Sequence, residues 1–221
     1  MRDAAGVRVK ICGLCRPEDA RVADEAGAEY LGVVFAPGPR RQDPEAALRI
    51  FDGRAAARVG VFADEAPDAV CAVAEACGLA VVQLHGSEPP EACARVRGRA
   101  GVEVWKVVRV RPGLDLASVV AAYAGAVDAV LVERYSARGL GGTGTPLPVD
   151  AVAAARGSWP AGVRMVVAGG LAPENVAEVV RRLRPDVVDA SSGVEARVGT
   201  KDAARVRAFV RAARAAAEAL R

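Results

Sequence analysis

The segment Val9–Ala20, VKICGLCRPEDA, carries a Cys12-x-x-Cys15 pair. That spacing suits three chemistries: metal ligation, disulfide exchange, or one reactive thiol with an unrelated neighbour. A zinc site needs two further ligands, yet the chain has one histidine, His85, and its other cysteines, Cys71, Cys77 and Cys93, fall in Ala-rich helical segments where a thiol is small apolar filler. A redox pair belongs at a helix start in a thioredoxin-like unit, which the rest of the chain does not resemble. No metal is therefore expected. Cys12 is left as a candidate for acid–base work. Lys10 lies two residues earlier and on the same face of an extended segment, either as a charge partner for the thiol or as a buried lysine paired with a carboxylate for structure.

Other polar residues also close short apolar runs. Glu133 ends a Val-rich run and precedes Tyr135–Pro148, where Gly139, Gly141, Gly142 and Gly144 suit a mobile lid or an anion-binding nest of amides. Gln83, Leu84, His85 and Gly86 end another run; the histidine there is either catalytic or a satisfied structural residue. Arg40 and Arg41, on a proline-stiffened loop, could clamp a carboxylate or simply be solvated. Gly169-Gly170 and Asp189-Ala190-Ser191-Ser192-Gly193 end two later runs with small residues that let a ligand approach backbone amides.

These residues need a frame that gathers the ends of their runs. Eight β-branched segments recur: Val7–Ile11, Tyr30–Val34, Arg58–Phe62, Ala80–Leu84, Val102–Val108, Val127–Val132, Arg164–Ala168 and Val187–Ala190. Amphipathic segments alternate with them, announced by Pro17, Pro44, Pro67, Pro89 and Pro173, because proline is tolerated in a first helical turn. A last helix is expected from about Lys201 to Leu220, with Val206, Phe209, Val210 and Leu220 on one stripe. Eight strand–helix units predict an α/β fold, a single-domain (β/α)8 barrel over residues 1–221, rather than an open doubly wound sheet. In such a barrel the carboxyl ends of the strands form the site, and the turns after strands seven and eight often hold phosphate. Asp128, at the other end of its strand, falls on the stability face.

Composition narrows the partners. The net charge is +3 and aromatics make up 4% of the 221 residues, so neither an electrostatic footprint nor a stacking platform for nucleic acid is present. No apolar run is long enough to span a bilayer, and the first residues lack a signal-peptide pattern. A cytoplasmic protein with reduced thiols is expected, as five cysteines is an odd number. Monomer and homodimer both remain open.

Taken in order, VKICG, GVVFAPGPR, VGVF, VQLHG, GGTG, AGGLAPENV and VDASSGVE…GTKD resemble phosphoribosylanthranilate isomerase of tryptophan biosynthesis, from about Val9 to Asp202. The resemblance implies a (β/α)8 barrel without cofactor or metal that performs an Amadori rearrangement on a phosphorylated aminosugar. A general acid protonates the furanose ring oxygen, opening a Schiff base, and a general base removes the proton from C2. It implies Cys12 as base, Glu133 as acid, Arg40 (or Arg41) for the substrate carboxylate, and Gly142, Gly169, Gly170, Ser192 and Gly193 for the phosphate. Lys10, Gln83, His85 and Asp189 would line the site. Two departures stand out: Glu133 replaces the family's aspartate, and Leu147-Pro148-Val149 replaces its Phe-Asp-Trp. They admit two alternatives, a paralogue isomerising a different phosphorylated aminosugar and a non-catalytic barrel that binds a phosphate ligand. An intact Cys12 counts against the second.

Overall fold

The computed structural model describes residues 6–134 and 147–221. Eight parallel strands close into a barrel in sequence order: β1 (Arg8–Ile11), β2 (Tyr30–Val34), β3 (Ala57–Phe62), β4 (Val81–Leu84), β5 (Glu103–Val110), β6 (Ala129–Arg134), β7 (Arg164–Val167) and β8 (Val187–Ala190). Helices α1 (Pro17–Glu25), α2 (Pro44–Phe51), α3 (Pro67–Cys77), α4 (Pro90–Ala100), α5 (Leu116–Ala122), α6 (Val149–Ala155), α7 (Val176–Leu183) and α8 (Ala203–Glu218) follow the strands in turn.

Local chemistry sets the helix ends. Pro17, Pro44, Pro67 and Pro90 open α1 to α4, while the carboxylates of Asp43, Asp115 and Asp202 accept the first-turn N–H groups of α2, α5 and α8. Pro173 is an exception to the expected pattern: it lies in a turn, and α7 starts only at Val176. The last helix is likewise shorter than its apolar stripe. Lys201 belongs to a hairpin of β9 (Glu195–Arg197) and β10 (Thr200–Lys201), which sequence periodicity did not reveal.

Strand alternation divides the core in two. One face packs the larger core beneath the helices; the other fills the barrel with Tyr30, Val59, Val81, Trp105, Val107, Leu131, Val166 and Val187. Trp105 is fully buried and meets Tyr30 edge-on, with centroids 4.9 Å apart. Stepping two residues along each strand from this plug leads to Asp189 from Val187, Gln83 from Val81, Glu133 from Leu131 and Arg109 from Val107. The barrel interior thus changes from apolar to polar toward its carboxyl end.

The closing seam of the barrel carries a buried ion pair. Register aligns Lys10 of β1 with Asp189 of β8, and Lys10 Nζ donates to Asp189 Oδ2 at 2.8 Å, with side-chain exposures of 0% and 7%. Removing one partner strands the other charge, so Asp189→Ala is expected to cost about 3 kcal/mol and to lower Tm by on the order of 10 °C. Lys10→Met with Asp189→Leu should recover most of that loss. Denaturant unfolding of the single and double variants checks this; a loss below about 1 kcal/mol in the single variant would show that the seam does not depend on the pair.

Candidate active site

A pocket opens at the carboxyl ends of the strands, lined by Cys12, Arg40, Gln83, His85, Glu133, Asp189 and the turns Ala168–Leu171 and Ser191–Gly193. Every site residue expected from the sequence, apart from three, lines it. Lys10 lies one layer below, fully buried. Arg41 is exposed, so the loop after β2 delivers Arg40 alone. Gly142 lies outside the described residues.

Cys12 directly follows β1, and its N–H donates to the Ala190 carbonyl of β8 at 2.9 Å. Gly32 on β2 makes room for it: a Cβ there would stand 2.8 Å from the Cys12 sulfur. Burial pushes the Cys12 thiol up, Lys10 pulls it down, and Asp189 pushes it up again; the net shift is upward. The resting form is therefore the thiol. Burial alone would lower the pKa of Lys10, but Asp189 and Cys12 outweigh it and hold the ammonium above its ordinary value. Lys10 thus pairs with the Asp189 carboxylate while its charge acts on the Cys12 thiol. Cys15 turns elsewhere, its sulfur 3.7 Å from the carbonyls of Gly13 and Arg40. Cys93, within α4, is pushed by burial up to about 11, as suits an inert thiol.

Glu133 is buried on the opposite side of the mouth. His85 Nε2 lies 2.7 Å from Glu133 Oε1, and Gln83 Nε2 lies 3.3 Å from His85 Nδ1. Arg109 also closes on Glu133, with Nε 3.5 Å from Oε1, and its Nη2 donates to the His85 carbonyl. Their register explains the contact, since Arg109 and Glu133 are cross-strand partners. Sequence reading missed Arg109 because it ended the strand at Val108, where an arginine interrupts the apolar run; counting by twos from Trp105 would have found it. The turn bearing His85 is fixed from outside. Lys106 donates to the Leu84 and Gly86 carbonyls and pairs with Glu88 at 2.8 Å, and Glu88 accepts the N–H groups of Asp64 and Gly86.

The glycine turns after β7 and β8 meet across the rim. A Cβ on Gly193 would stand 2.0 Å from the Leu171 carbonyl oxygen, so no side chain fits there. Asn175 shapes the first turn by donating to the Gly170 carbonyl and accepting the Ala172 N–H, both at 2.9 Å. Among the described residues, no backbone carbonyl takes the amides of Gly169, Gly170, Ser192 or Gly193. Two buried acceptors, Gln83 Oε1 and Asp189 Oδ1, also have no hydrogen-bond partner among the described residues. The pocket therefore combines a thiol, a carboxyl, a guanidinium, open amides and unfilled acceptors. No helix among the described residues is long and apolar enough to cross a membrane.

Known proteins resemble the chain in sequence and in fold. A family model described as N-(5'phosphoribosyl)anthranilate (PRA) isomerase matches residues 9–212. The chain is 44% identical over 213 residues to the N-(5'-phosphoribosyl)anthranilate isomerase of Trichlorobacter lovleyi, covering 95% of this chain and 99% of the relative. The crystal structure of phosphoribosyl anthranilate isomerase from Thermotoga maritima superposes with a TM-score of 0.85 at 35% identity, over 95% of this chain and 99% of that one. A phosphoribosyl anthranilate isomerase in complex with reduced 1-(o-carboxyphenylamino)-1-deoxyribulose 5-phosphate gives 0.82 at 34% identity, with the same coverage of 95% and 99%. With its barrel fold and nearly its whole length in common with them, the chain belongs to the N-(5'-phosphoribosyl)anthranilate isomerase family.

Proposed function

We propose that Cys12 and Glu133 are the base and acid with which this protein isomerises N-(5'-phosphoribosyl)anthranilate. The observation that carries the assignment is that one pocket holds the Cys12 thiol and the Glu133 carboxyl, with Arg40 and the two glycine turns at its rim. The phosphorylated substrate anchors its phosphate on the amides of Gly169, Gly170, Ser192 and Gly193 and its carboxylate on Arg40. Substrate hydroxyls then meet the open acceptors of Gln83 and Asp189.

Glu133 gives a proton to the furanose ring oxygen and the C1-linked amine becomes a Schiff base. Cys12 takes the C2 proton, giving the enolamine that tautomerises to the ketone. Glutamate is one methylene longer than aspartate, and a misplacement of about 1 Å can cost on the order of a hundredfold. His85 and Arg109 fix the longer side chain from two directions. With the Gln83 amide donating to Nδ1, the imidazole holds its proton on Nε2 and donates to Oε1, which leaves Oε2 to carry the proton for the substrate. The alternatives of another aminosugar or an idle barrel are not favoured, as full-length relatives carry the isomerase name.

Steady-state turnover of freshly generated phosphoribosylanthranilate, followed by loss of anthranilate fluorescence, tests the assignment. Cys12→Ala and Glu133→Gln should each lower kcat by about 10²- to 10⁴-fold; wild-type rates in either variant would exclude that residue.

The pH profile offers a separate check. The base acts as thiolate, so kcat/KM falls as pH drops through the Cys12 pKa, which lies above the ordinary value. The profile should therefore still be rising past about pH 8.5. Lys10→Met removes the cation that favours the thiolate and should move the rise to higher pH; Asp189→Asn removes the opposing anion and should move it lower. A profile indifferent to both variants would show that Cys12 does not titrate in it.

A further inference from the structure

The hairpin after β8 has no role in the chemistry above, yet it buries two charges beside the mouth. Glu195 and Lys201 have side-chain exposures of 5% and 1%. Arg40 Nε donates to Glu195 Oε1 at 2.8 Å and Arg40 Nη2 donates to Oε2 at 2.6 Å. Lys201 Nζ donates to the same Oε1 at 3.0 Å and to the Ser191 carbonyl at 3.1 Å. The Gly199 N–H completes the set at 3.3 Å. Gly13 forms the floor: a Cβ there would lie 2.6 Å from Arg40 Cδ, and its φ is +69°.

A guanidinium offers two edges that can each grip a carboxylate through a pair of N–H groups. Glu195 occupies the Nε/Nη2 edge of Arg40. The Nη1/Nη2 edge has no carboxylate among the described residues, and Arg40 lines the pocket. Charge supports this division. Arg40 and Glu195 alone would cancel, and Glu195 would oppose a second carboxylate; Lys201 offsets Glu195 and leaves the trio with one net positive charge. Lys201 also ties the trio to Ser191, the residue that leads into the Ser192–Gly193 turn.

We propose that Glu195 is a positioning residue that sets specificity: it locks one edge of Arg40, with Lys201 as counter-charge, so that the other edge recognises an aromatic carboxylate on the substrate. The inference rests on Arg40 being the carboxylate clamp. A role as simple charge balance predicts the opposite sign. Removing the negative charge of Glu195 would then strengthen binding of any anionic ligand, whereas loss of positioning weakens the carboxylate-bearing ligand alone.

The test is calorimetric binding of two ligands, reduced 1-(o-carboxyphenylamino)-1-deoxyribulose 5-phosphate and its counterpart with an unsubstituted anilino ring. Wild type should prefer the carboxylate ligand by about 10- to 100-fold, the scale of a charge-assisted bidentate contact. Glu195→Gln keeps the side-chain shape but presents an NH2 group to a cationic donor; it should cut that preference at least fivefold and leave the anilino ligand's affinity unchanged. The unchanged affinity also shows that the variant is folded with its phosphate turns intact. Arg40→Ala should abolish the preference. If Arg40→Ala keeps the preference, the clamp reading fails. If Arg40→Ala loses it while Glu195→Gln keeps it, tightens both ligands or weakens both equally, the clamp stands and the positioning role of Glu195 is overturned.

Discussion

The ion pair between Lys10 and Asp189 sits where the barrel must close, and the arrangement of the site depends on it. A parallel sheet rolled into a barrel has one seam that joins the first strand to the last, here β1 to β8. Register there decides which side chains face inward, and a slip of one residue would turn Cys12 toward the helices. A charge pair with no exposure on the lysine makes such a slip costly, since it would separate two buried ions. The same two charges act in opposite directions on the thiol directly above them. Stability and acid–base character therefore share a pair of residues.

Above that layer, the mouth divides its tasks among strand ends that are far apart in sequence. The thiol comes from β1, the carboxyl from β6, the imidazole from the turn after β4 and the guanidinium from the loop after β2. The imidazole, the guanidinium and the turn after β7 are held by groups outside the pocket: Lys106 and Glu88 fix the His85 turn, Glu195 grips Arg40, and Asn175 shapes the turn after β7. Such support lets polar residues keep one geometry in a cavity where the apolar plug of Trp105 and its neighbours gives no direction to a side chain.

Much of this was legible in the chain itself. β-branched runs with prolines after them define the strand–helix alternation, and residues that end a run fall at the mouth by topology alone, which is why Cys12, His85, Glu133 and the glycine turns could be named. What escaped depends on pairing between distant segments. Arg109 acquires meaning only from its register with Glu133, and Lys201 looks like a helix start until Glu195 and the Ser191 carbonyl are found around its ammonium. Cys12 and Cys15 form a motif in sequence, but a strand end and a loop turn their thiols into different surroundings.

The most direct test of Cys12 and Glu133 as base and acid is a crystal structure of this protein with reduced 1-(o-carboxyphenylamino)-1-deoxyribulose 5-phosphate. With Cys12 as base and Glu133 as acid, the ligand's C2 is expected about 3–3.5 Å from the Cys12 sulfur, with the oxygen derived from the furanose ring on the Glu133 side and the phosphate on the amides of the two glycine turns. A ligand bound with C2 remote from Cys12, or with its phosphate away from Gly169, Gly170, Ser192 and Gly193, would contradict it.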